Sequence, residues 1–238
     1  MVHNAAVGRV VLLVFAAAVA LSAAAAAFAG ATDPQLHKRP ADVRRAKTLI
    51  MSLHDLPAGF VDKGVDKSSS GPIPPGCSVP NLHALVMTAD VTSHKFVRTH
   101  TGSYAETESE ASFFVRAAQA QKAVAAVTTS KMGRCLKEAA VEGAKKSGNG
   151  QITVISARVV PLSESVADMH DKFWDILVNF KAHGLVFHDE LVLVYLRRGR
   201  VVSNLLLNSL NGLTESEARD LTARLTSRLA RLPKSVVR

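Results

Sequence analysis

The chain has 238 residues, 47% hydrophobic, 21% charged and 5% aromatic, with a formal net charge of +9. That much apolar material can bury a core, which excludes a disordered polyelectrolyte. Two cysteines exclude a disulfide-dense mini-protein, and 14 glycines without a sustained heptad exclude a collagenous or coiled-coil chain, so one domain of ordinary size is expected.

From Val10 to Ala29 no residue is charged and only Ser22 is polar, after a short segment carrying Arg9. This is an export signal or a membrane anchor. Ala27-Phe28-Ala29 offers small residues to a signal peptidase, with the cut between Ala29 and Gly30; a retained signal-anchor is the other reading, since about 20 apolar residues span a bilayer. The expected location is the extracellular cell envelope, secreted, or membrane-associated through residues 10–29 if these stay. Loss of residues 1–29 removes one base, Arg9, and no acid, so the remainder stays basic. A basic exported domain is drawn to anionic envelope material. Nucleic acid is not an expected partner: only Arg197, Arg198 and Arg200 cluster tightly, and no row of stacking aromatics accompanies them.

Residues 30–40 read as a polar linker and residues 41–238 as one folded domain. Val43, Ala46, Leu49, Ile50 and Leu53 recur at helical spacing, and the helix must stop at Asp55-Leu56-Pro57-Ala58-Gly59-Phe60. Ser68 to Gly76 is a loop by composition, and Pro80 to Met87 a short helix. Two β-prone runs follow, Ala89 to Arg98 and Ser103 to Arg116. Ala117 to Val127 is helix-forming, with an interruption expected at Gly133 before a second helical piece bearing Cys135, Leu136, Ala139 and Ala140. After the turn Ser147 to Gly150 comes a meander: Ile152 to Pro161, Lys172 to Phe180, Val186 to Arg197 and Arg200 to Asn208. In its second strand Trp174, Ile176, Val178 and Phe180 alternate with polar positions among which lie Asp171, Asp175, Asn179 and Lys181, the pattern of one buried face. Thr214-Glu215-Ser216-Glu217 is a capping box opening a last helix, whose core stripe is Ala218, Leu221, Leu225, Leu229 and Leu232. The expected fold is α+β: an antiparallel sheet of five to six strands flanked by helices at the N-terminus, in the middle and at the C-terminus.

Export implies an oxidising compartment, where Cys77 and Cys135 have one intramolecular connectivity open to them. A bridge would remove about 4 kcal/mol of denatured-state freedom in the chain-entropy model. Two buried free thiols or intermolecular pairing are the alternatives. Neither cysteine lies in a CxxC or near a histidine, so no zinc site is expected.

No GxSxG, HExxH, Gly-rich phosphate loop or DxDxDG run is present, and neither catalytic residues nor a cofactor are assigned. Nine histidines raise a metal hypothesis, chiefly for His183, His188-Asp189-Glu190, and His94 with His100. Their spacing does not bring two imidazoles to one strand face, so they read as strand-end side chains and no metal is expected. Trp174 reads as core. His170-Asp171 is a polar pair at a loop end, where cleft residues often sit.

The signal, the helix ending in Asp55-Leu56-Pro57-Ala58-Gly59-Phe60, Cys77, a strand entering the Ala117–Val127 helix, Cys135-Leu136 after it, and the meander with Arg198-Gly199-Arg200 occur in an order that resembles a known group. It is similar to exported actinobacterial proteins related to the extracellular sensor domain of PknH-type receptor Ser/Thr kinases, over residues 41–232. The resemblance implies a helix-flanked antiparallel sheet with a cleft for an extracellular ligand, and no catalysis. The chain departs from it in carrying no kinase domain and in lacking the cysteines for the kinase sensor's second disulfide. Three readings of function follow: a noncatalytic exported envelope domain that binds an extracellular small molecule or an anionic envelope component, an envelope hydrolase with dispersed catalytic residues, and a structural envelope protein held by charge.

Overall fold

Long strands of alternating character can satisfy their backbone groups only against one another, and here they do so in one sheet. The computed structural model describes residues 34–65, 74–78, 80–147, 151–166 and 169–238, so the signal segment with its Ala29–Gly30 site, and most of the Ser68–Gly76 loop, lie outside the described residues. In chain order the elements are β1 (Gln35–Leu36), α1 (Pro40–Leu49), a 3-10 turn (Leu53–Asp55), β2 (Val61–Asp62), β3 (Val86–Thr92), β4 (Phe96–His100), β5 (Ser103–Phe114), α2 (Ala117–Val127) and α3 (Ser130–Ser147). The second half contributes β6 (Ile152–Val166), β7 (Met169–Ala182), β8 (Leu185–Arg198), β9 (Val201–Leu210), α4 (Glu215–Ala230) and the short α5 (Lys234–Val237). The strand order is β1-β3-β5-β9-β8-β7-β6, with β4 continuing the β3 edge of β5 and pairing β2. The fold is α+β.

The sheet is larger than the five to six strands expected, and not wholly antiparallel. Among the described residues nine strands take part, and β1 runs parallel to β3. The β-prone run Ala89 to Arg98 is two strands because the ladder breaks at Ser93-His94-Lys95, where the Ser109 amide donates to the Ser93 hydroxyl at 2.9 Å. Strands of two residues, β1 and β2, show no alternation from which to read them. Pro80 to Met87 is not a helix: a turn closes with the Leu85 amide on Leu82 O, and β3 begins at Val86.

Gly133 does not interrupt the middle helices. The break falls at Thr128-Thr129, where the Thr129 hydroxyl accepts the Met132 amide at 3.1 Å and caps α3. Gly133 lies within α3 because the Trp174 ring packs there: a Cβ at this position would sit 2.6 Å from Cζ3. The indole also donates Nε1–H to Val127 O at 3.1 Å. Trp174 is buried core, as its place in the alternation implies.

Strand alternation divides the core between the two faces of the sheet. On one, Ala46 and Leu49 of α1, Leu221, Leu225 and Leu229 of α4, and Val236 and Val237 pack on Phe113, Leu205 and Leu196. On the other, Met132, Leu136, Ala140 and Ala144 of α3, spaced four apart, pack on Trp174, Ile176, Val178 and Phe180. Ala120, Ala123 and Val124 of α2 cover Phe114 and Val202 beside them. Sγ of Cys77 and Sγ of Cys135 are 2.15 Å apart, with Cα atoms 5.7 Å apart across a separation of 58 residues, joining the loop before β3 to α3.

The β8–β9 hairpin carries the ion pair that ties both ends of the domain together. Arg200 meets Asp42 of α1 through two nitrogens, at 2.9 and 3.0 Å, donates to Phe114 O at 3.0 Å and Val236 O at 2.7 Å, and lies over the Phe113 ring. Thr88 adds a hydroxyl donor to Asp42 at 2.6 Å. Burial raises the Asp42 carboxyl, but the Arg200 and Thr88 hydrogen bonds outweigh it and hold it below the usual carboxylate range.

Two outcomes test this packing. Gly133→Ala should gain helix propensity of about 1 kcal/mol yet lose more to the clash with Trp174, for a net destabilisation of about 1–2 kcal/mol in denaturation followed by Trp174 fluorescence. A rise in stability would contradict the contact. Arg200→Met should cost about 3 kcal/mol at pH 7 by leaving the buried Asp42 with only the Thr88 hydroxyl and the longer Arg45 contact. Because Asp42 titrates below its unfolded value in the native protein, the pair's contribution is present above that value and disappears as pH falls through the depressed one. The gap between variant and wild type should therefore narrow in acid, and a gap constant between pH 7 and pH 2 would contradict the pairing.

A candidate ligand cleft between the last helix and the sheet

Helix α4 covers its face of the sheet unevenly. Its leucine stripe, Leu221, Leu225 and Leu229, packs into the core shared with α1. A neighbouring stripe of small residues, Ala218, Thr222, Ala223, Thr226, Ser227 and Ala230, looks instead across β7, β8 and β9, and short side chains cannot close that gap. What remains is a cleft of about 960 Å³. Its floor is apolar, built from Phe173 of β7, Val192 and Val194 of β8, and Leu207 of β9, and its polar groups are led by Asp171, Asp175 and Glu190. An apolar floor with a few convergent polar groups is the usual composition of a small-molecule site.

The wall is fastened at both ends by arginines from the sheet. At the N-terminal end the Thr214–Glu217 capping box forms as expected, the Glu217 amide donating to Thr214 Oγ1 at 3.2 Å. Arg98 of β4 grips the same turn with two nitrogens on Glu217, each at 2.9 Å, and with Nε–H donated to Gly212 O at 3.2 Å. The Arg98 hydrogen bonds hold Glu217 at about 2. At the C-terminal end Arg198 of β8 donates to Leu229 O, Ala230 O and Leu232 O at 3.1, 2.8 and 2.6 Å, supplying donors where a helix leaves carbonyls unmatched. In the same last turn Arg228 of α4 reaches Ile50 O and Asp55.

The carboxyls in the cleft are set apart by their surroundings. Asp175 and Glu190 are diagonal neighbours on β7 and β8. Burial raises both carboxyls above the usual range, and the neighbouring Asp175 raises Glu190 further; Arg158 of β6 opposes the rise in both. Asp175 Oδ1 is buried with no hydrogen-bond partner. At the rim Glu215 pairs with Arg219 one helical turn away.

The residues singled out in the sequence fall as follows. Asp171 of the His170-Asp171 pair is buried and lines the cleft, while His170 is exposed. Alternation splits His188-Asp189-Glu190: Glu190 faces the cleft, His188 meets Asn179 at 2.5 Å, and Asp189 turns to the opposite face, wholly buried and pushed up to about 8, chiefly by desolvation. His94 pairs with Asp62 at 2.7 Å, His100 ends β4 exposed, and His183 sits exposed in the β7–β8 turn. Among the described residues no group of three His, Cys, Asp or Glu side chains could hold a metal ion. Arg198 and Arg200 are spent inside the fold, and Arg197 is half-buried. Among the described residues no helix is long and apolar enough to cross a membrane.

The sequence reading did not place Asp175 and Glu190 in a site. The odd positions of β7 looked like a solvated face, but Phe173 and Leu177 share it with Asp171 and Asp175. Apolar residues recurring on the polar side of a strand were the available signal.

No family model and no curated protein matches the chain. Among solved structures it is similar to the extracellular domain of PknH from Mycobacterium tuberculosis, at 10% identity and a TM-score of 0.37, covering 80% of this chain and 97% of that one. It is also similar to LpqN, involved in cell envelope biogenesis of Mycobacterium tuberculosis, at 11% identity and a TM-score of 0.26, covering 74% of this chain and 78% of that one. The first is the kind of domain that the order of sequence motifs resembles; neither likeness lends a residue here its role.

The fastening of α4 is open to test by hydrogen exchange. Arg98→Met should speed exchange of the amides in the first full turn of α4 about tenfold and leave the last turn, held by Arg198, unchanged. Equal acceleration along the helix, or none, would contradict the two-ended attachment. Glu217 titrates below its unfolded value, so the stability it adds is present above about pH 4.5 and lost as pH falls toward 2.

Proposed function

We propose that this chain is a noncatalytic, exported cell-envelope domain that binds a small extracellular molecule in the cleft beneath α4. The observation that carries this reading is the cleft itself: about 960 Å³ over an apolar floor, walled by a helix anchored away from it. A cavity left by poor packing would be expected to collapse, whereas this wall is fixed by charge-assisted hydrogen bonds at its ends and by leucines on another side. The uncharged run from Val10 to Ala29 supports export, and the net charge of +9 suits a domain lodged among anionic envelope polymers while its cleft takes a ligand.

One observation favours a second reading. The neighbouring Asp175 and Glu190 carboxyls are an arrangement from which an envelope hydrolase could draw an acid and a base. Turnover of an envelope glycan or ester, lost in Asp175→Asn without loss of binding, would replace the binding reading with that one.

The neutral fluorophore Nile red tests the cleft directly. It should bind one to one with a blue-shifted emission, and Ala223→Trp, which places an indole in the cleft from a helix face free of core leucines, should abolish that binding while leaving thermal stability within a few degrees of wild type. Undiminished binding in a folded Ala223→Trp would sink the assignment of the site.

A further inference from the structure

The cleft inverts the charge of the protein that contains it. The chain as a whole is at +9, yet the cleft is lined by four acidic side chains, Asp171, Asp175, Glu190 and Glu215, against one base, Arg219, which is already paired with Glu215. Arg158 reaches the field of Asp175 and Glu190 from the edge strand β6, but it is exposed and is not among the lining residues. Asp175 Oδ1 remains a buried acceptor without a hydrogen-bond partner, with the Glu190 carboxyl on the diagonal of the next strand. Both members of that pair are raised, because burial outweighs the opposing charge of Arg158.

A metal ion is poorly served here, since among the described residues no three acidic, His or Cys side chains converge closely enough to ligate one. An organic cation needs no such convergence. One N–H donor to the Asp175–Glu190 pair, with the remainder of the molecule on Phe173, Val192, Val194 and Leu207, would match both the polar and the apolar lining. The small stripe of α4, Thr222, Ala223 and Thr226, leaves room above that floor for an unbranched or thin apolar body.

We infer that the cleft selects an amphiphilic amine, its ammonium group on Asp175 and Glu190 and its apolar body along Phe173, Val192 and Leu207. This rests on the binding reading above and names the ligand class for the same site. An anionic amphiphile is disfavoured twice, by the carboxyls it would face and by the buried acceptor it would leave unmatched.

The test uses the folded, oxidised chain and three probes of one length, n-octylamine, n-octanol and n-octanoate, each displacing Nile red at pH 7. The expected result is displacement by octylamine at a concentration at least tenfold lower than by octanol, with octanoate weaker than both. Glu190→Gln, an isosteric change at the cleft rim, should reduce the preference for octylamine over octanol at least threefold, and Asp175→Asn should reduce it further. If octylamine and octanol displace equally from a cleft that Ala223→Trp still blocks, the amine inference is overturned and the cleft keeps its binding role. If octanoate is preferred, the inference fails in sign. If no probe displaces Nile red and Ala223→Trp leaves its binding intact, the binding reading itself falls, and the inference with it.

Discussion

Everything proposed for this protein depends on how one helix is attached. An amphipathic helix on a sheet ordinarily buries its apolar stripe directly beneath itself, and the space between helix and sheet closes. Here α4 turns Leu221, Leu225 and Leu229 toward the core it shares with α1, while Arg98 holds its first turn and Arg198 its last carbonyls. Both arginines come from strands, so the helix is referenced to the sheet at its ends rather than along its length. Beyond the Glu215–Arg219 pair at the rim, the face between those ends carries Ala, Thr and Ser, and the cleft is the volume those residues do not fill.

The same economy explains the arginine cluster at the β8–β9 hairpin. Read as a sequence, Arg197, Arg198 and Arg200 look like a basic patch. In the fold Arg198 caps α4, and Arg200 joins Asp42, Thr88, Phe114 and the backbone of α5. Gly199 between them has φ of +56°, and a Cβ there would lie 1.8 Å from Val237 O, so only glycine lets the C-terminal segment close over the hairpin. A surface charge cluster and a structural clamp have the same one-dimensional signature, and only the partners, 31 to 158 residues away, distinguish them.

Much of the framework was legible because it rests on local rules. The Thr214–Glu217 capping box, the helix over Ala117–Val127, and the even face of β7 with Trp174 at its heart appear in the structure as read. Gly133 was misread because its cause, the indole of Trp174, lies far away in the chain; a glycine required for close approach looks, in sequence, like one that ends a helix. The short β1 and β2 were invisible because two residues carry no period. The cleft was half visible: Asp171 stood out at a loop end, but Asp175 and Glu190 acquire a role only once α4 is rotated to leave them uncovered. That rotation is set by Arg98, Arg198 and Arg228, whose partners no periodicity announces.

On the proposed reading, a basic domain with an acidic cleft separates two tasks electrostatically, the exterior suiting anionic polymers and the cleft suiting the opposite sign. The most direct test of this account is native mass spectrometry, without reductant, of the wild-type protein and Ala223→Trp recovered from the producing cell. The account predicts a stoichiometric small-molecule adduct on the wild type that is missing from the variant, both masses showing one disulfide. Clean apo masses for both, or an adduct retained by the blocked variant, would contradict it.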